Sequence, residues 1–101
     1  MTYLDELKDV IHRLHGVESA HVQSVPVKEM FQGKTVWEGI VEVFDLKHHP
    51  TAARIYAWAH DTDDLSKPRR HVTVLHAAPV DSPEAAVRAS IIQDYRNLET
   101  E

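Results

Sequence analysis

Four strand-like runs follow one another through the middle of this chain, with no clear crossover helix between any two of them. ESAHVQSVPVKEMF alternates moderately, TVWEGIVEVFDL is rich in valine, isoleucine and aromatics, and ARIYAWAH and RHVTVLHAAPV complete the series. Parallel neighbours need a crossover of a dozen or more residues, so strands joined by short turns run antiparallel. A helical pattern stands at each end. Together these predict an α+β domain in the order α-β-β-β-β-α, a four-stranded antiparallel sheet with both helices packed on one face. The alanines around residues 54–60 leave a short helix as the alternative for the third run.

The end helices carry their own punctuation. Leu4, Leu7, Ile11 and Leu14 recur at helical spacing, with Val10 widening the stripe. Thr2 followed by Asp5 reads as a capping box, and Gly16 as the stop. At the other end Ser82 is an N-cap, Pro83 suits the first turn, and Glu84 complements the helix dipole of a segment from residue 83 to 98. Pro26 has no amide to give an inner ladder, which places the first strand at a sheet edge. Phe31-Gln32-Gly33-Lys34 forms the turn of a hairpin with the second strand, and residues 61–68 form a polar loop before the fourth.

At 101 residues, the chain matches one domain, 1–101. It holds no cysteine, which removes disulfides, thiolate metal sites and a cysteine nucleophile. No run approaches the length of apolar chain that spans a membrane, and the first ten residues carry Asp5, Glu6 and Asp9 in place of a basic start and apolar core, which makes the cytoplasm the expected location. Eleven basic against sixteen acidic side chains give a net charge of −5. Lys67-Pro68-Arg69-Arg70 is the longest basic cluster, too short to track a phosphate backbone, so nucleic acid is not an expected partner.

The chain has eight histidines, but their spacings do not build a metal site, and none is expected: His48 and His49 are adjacent, while His71 and His76 fall on opposite faces of a strand. Asp61-Thr62-Asp63-Asp64 opens like a calcium loop, but Ser66 stands where its glycine belongs and Val72 where its closing glutamate belongs. Gly16, Gly33 and Gly39 are isolated, so no phosphate-cradling loop is present and no cofactor is expected.

Alternation divides each strand into two lists. Joining the charge-free lists gives a helix-facing side of Trp37, Val41, Val43, Ile55, Ala57, Ala59, Val72 and Val74. Ile40, Phe44, Tyr56, Trp58 and Leu75 then form an outer face, an apolar patch that predicts a covering partner. The leading expectation is a non-enzymatic protein-interaction module that forms a homodimer through this face, with an unidentified protein partner also open. The alternative is a small acid–base enzyme or small-molecule-binding protein using His60, His71, Glu42 and Tyr56. Reversing the two faces, so that Phe44, Tyr56, Trp58 and Leu75 lie beneath the helices, is the competing arrangement.

Overall fold

The computed structural model describes residues 2–61, 66 and 69–99. Helix α1 (Tyr3–His15) begins where Thr2 closes the capping box: its hydroxyl accepts from the Asp5 amide at 3.1 Å, and the Asp5 carboxylate accepts from the Thr2 amide. Gly16 ends it in the left-handed conformation, φ 69°, donating its amide to the His12 carbonyl. Leu7, Val10 and Ile11 are buried, but Leu14 is 63% exposed, so the apolar stripe does its packing in the first three turns.

Strands β1 (Ser19–Phe31) and β2 (Lys34–Leu46) form a long hairpin. Gln32 and Gly33 both have positive φ, 52° and 78°, the pattern of a type I′ turn whose twist suits the flanking strands. The third run is a strand, β3 (Arg54–Asp61), which excludes the helical alternative: its alanines lie in the sheet. Strand β4 (Arg69–Leu75) stops short of the predicted run, and helix α2 (Pro83–Glu99) starts at Ser82, whose hydroxyl accepts from the Ala85 amide at 3.1 Å. Residues 62–65 and 67–68 of the polar loop, including most of the acidic run, lie outside the described residues.

The sheet is an antiparallel meander in the order β1-β2-β3-β4, so the predicted class and element order hold. The expected sharing of one face by both helices does not. Leu7 and Ile11 of α1 pack with Phe44, Ile55 and Ala57, whereas Ala86 and Val87 of α2 pack with Val41, Val43, Tyr56 and Trp58. Adjacent strand residues point to opposite faces, so Tyr56 and Ala57, or Val43 and Phe44, cannot lie on the same one. Each face therefore takes one helix. The pairing of Val43 with Tyr56 and of Glu42 with Ala57 sets this phase. Joining Ile55, Ala57 and Ala59 to Val41 and Val43 misplaced β3 by one residue, enough to exchange its faces.

Only residues 42–45 of β2 pair with β3. Beyond that point the hairpin departs as a two-stranded arm, and the Ala59 amide donates instead to the Tyr3 hydroxyl at 2.9 Å. The arm stays tied to the α2 side: the Trp37 ring meets Trp58 edge to face at 5.6 Å between centroids, and Arg88 bonds Glu29 at 3.0 Å. No helix among the described residues is long and apolar enough to cross a membrane.

Candidate functional site

The four residues of the acid–base alternative divide between the two faces. Glu42 and His71 lie on the α1 side, while Tyr56 lies on the α2 side, buried, with its hydroxyl 2.5 Å from His76 Nδ1. His60 follows Trp58 in strand alternation and is exposed near the end of β3. Burial raises the Tyr56 phenol above its ordinary range, so it stays neutral at physiological pH. Strand alternation sets Glu42 and His71 on one face and Tyr56 and His60 on the other.

Glu42 instead joins two residues that the sequence reading assigned to no site. It is 6% exposed, and its carboxylate accepts from the Ser24 hydroxyl and lies 3.0 Å from His21 Nε2. Ser24 pairs directly with Glu42 in the β1–β2 register, so the signal was there once register was known. Both the serine and the carboxylate approach the same imidazole nitrogen, with Ser24 Oγ 3.4 Å from it. A relay needs the serine on one ring nitrogen and the acid on the other. This arrangement satisfies a buried carboxylate and clasps β1 to β2.

His71 bonds Glu6 of α1 at 3.1 Å, and Arg69 reaches the same carboxylate at 3.3 Å while its guanidinium stands 5.1 Å from the centre of the Tyr3 ring. These contacts fasten α1 to β4. Among the described residues, no three His, Cys, Asp or Glu side chains are grouped to hold a metal ion.

The five residues expected on a free outer face are not on one. Phe44 is fully buried under α1, and Tyr56 and Trp58 are each 2% exposed on the α2 side. Leu75 packs partly buried with the α1 cluster, and Ile40 alone, at 49%, is open. With a helix on each face of its β3–β4 half, that half offers its edge rather than a face, while the β1–β2 arm leaves Val36 and Ile40 about half exposed.

The two edges differ. β1 carries Pro26 and two breaks in register, between His21 and Gln23 and between Glu29 and Met30. Proline and bulges are devices that discourage strand addition. β4 pairs with β3 through all seven of its residues without a break, and its other side pairs with no strand among the described residues. Along it runs an open groove of about 400 Å³, lined by residues 70–74 and by Ala89, Ser90 and Gln93 of α2. Consecutive β4 residues line it because at an edge both faces of the strand are reached. Such a groove can receive an extended backbone, with main-chain hydrogen bonds supplying affinity and side chains supplying selectivity.

No family model matches the chain, and neither the curated proteins nor the solved structures contain a significant match.

Proposed function

We propose that this protein is a non-enzymatic interaction module that accepts an extended strand along the free edge of β4. The observation that carries this reading is the groove between residues 70–74 and Ala89, Ser90 and Gln93, on an edge with no proline and no break in register. The division of His60, His71, Glu42 and Tyr56 between two faces favours this reading over an acid–base site, and a helix on each face of the β3–β4 half leaves the β4 edge as that half's open side. The cysteine-free composition suits a cytoplasmic setting.

The test uses an uncharged synthetic octapeptide of alternating valine and threonine, titrated into isotope-labelled full-length protein. Amide shifts should concentrate in β4 and around Ala89 to Gln93. Shifts confined to the β1–β2 arm, or none at millimolar peptide in protein that sediments as a monomer, overturn the reading.

A further inference from the structure

We infer that the occupant of the β4 edge is a second copy of this chain, the two β4 strands pairing antiparallel about a two-fold axis at Val72; the inference rests on the strand-accepting reading above. The sequence of β4 is RRHVTVL, and Val72 is its middle residue. In an antiparallel self-pair, residues equidistant from the axis face each other. Only an axis at Val72 pairs all seven.

That register is also the one the charges favour. It sets Arg69 against Leu75, Arg70 against Val74, His71 against Thr73 and Val72 against itself, so no two cations are directly opposed. Moving the axis to His71 sets that ring against its own copy, and moving it to Arg70 sets two arginines face to face. Slippage the other way, to Thr73, loses two of the seven pairs. The strand is self-complementary in one register and penalised in its neighbours.

The surroundings fit a two-fold pair. With the axis normal to the sheet, the two copies of α2 come to the same side and face each other across it. There Ala89 and Ser90 present small side chains, which permit close approach. The opposite edge explains why assembly stops at two: Pro26 and the two register breaks in β1 hinder a further copy, so the eight-stranded sheet ends at both sides. A two-fold contact of this kind needs one self-complementary patch and closes on itself.

The experiment exploits the absence of native cysteine. In the full chain, Val72→Cys places the two sulfur-bearing residues directly opposite, with Cβ atoms roughly 5 Å apart, within disulfide reach. Val74→Cys places its two copies four positions apart, on the order of 13 Å, beyond that reach. Under mild oxidation Val72→Cys should form a covalent dimer at least roughly tenfold faster than Val74→Cys, and the wild type should sediment as a dimer at the same concentration. Equal cross-linking rates, or a wild type monomeric at hundreds of micromolar, overturn the inference. If Val72→Cys does not fold, amide exchange of the wild type decides: β4 amides must gain protection as concentration rises, and concentration-independent exchange overturns the proposal. A monomeric wild type whose β4 still responds to the valine–threonine peptide defeats the second copy and leaves the strand-accepting reading standing. Loss of both responses defeats the two together.

Discussion

The imidazole of His15 meets the hydroxyl of Thr73 at 3.1 Å, Nε2 to Oγ1, and thereby joins the last turn of α1 to β4. The ring is partly buried, and the His49 ring lies edge-on with centroids 6.3 Å apart. Burial foremost, and the neighbouring His49 second, hold its pKa below the ordinary histidine value of 6.5.

A stability trend with pH follows from this. The unfolded chain binds the proton more readily than the folded one, so the contribution of neutral His15 is complete above the ordinary value and is lost as pH falls below it. The wild-type melting temperature should fall from neutrality to roughly pH 5, and His15→Gln should show a shallower fall. Parallel curves for the two proteins would remove His15 from the effect.

Trp58 is a core residue, enclosed by Trp37, Val41 and the α2 residues Ala86 and Val87. Trp58→Ala should cost about 3–5 kcal/mol in denaturant unfolding, and Trp58→Glu should not fold at all, because it buries an unpaired charge. A folded Trp58→Glu protein, judged by circular dichroism, would contradict this placement.

The Glu42 clasp predicts a graded series. Glu42→Ala leaves the partners Ser24 and His21 without their acceptor and should cost about 1–3 kcal/mol, whereas Glu42→Gln keeps an acceptor oxygen and should cost less. Ser24→Ala should fall between wild type and Glu42→Ala. Equal stability of Glu42→Ala and wild type in urea would show that the clasp contributes nothing.

The hairpin turn offers a change in each direction. At Gly33 a Cβ would meet no atom within 4 Å, so the cost of Gly33→Ala is backbone strain alone, roughly 1–2 kcal/mol. Gln32→Asn should raise stability by a few tenths of a kcal/mol, since asparagine tolerates the left-handed region better than glutamine. Differential scanning calorimetry of both variants checks the signs, and a destabilised Gln32→Asn would argue against the turn geometry.

Much of the architecture was legible because it is written locally. Thr2, Asp5 and Gly16 mark the ends of α1 with groups that bond within one turn, Ser82 does the same for α2, and Gln32-Gly33 turns the hairpin on its own backbone preferences. The candidate site was legible only in fragments: Glu42 and His71 were singled out, but their partners His21, Ser24 and Glu6 come from other elements. Freedom from charge also misled as a sign of the core, because Glu42 is buried beside Phe44 once two donors satisfy it.

The sequence by itself determined the α-β-β-β-β-α order, the antiparallel sheet and the edge position of β1, since propensity, caps and a proline act over a few residues. Only the tertiary structure decided that the helices lie on opposite faces, that Trp58 is interior and that β4, among the described residues, pairs with β3 alone. Alternation gives each strand two faces without saying which face of its neighbour each one joins. That phase is settled by pairing across the chain, Glu42 with Ala57 and Trp58 with Val72, and a shift of one residue exchanges everything the sheet buries on its two sides.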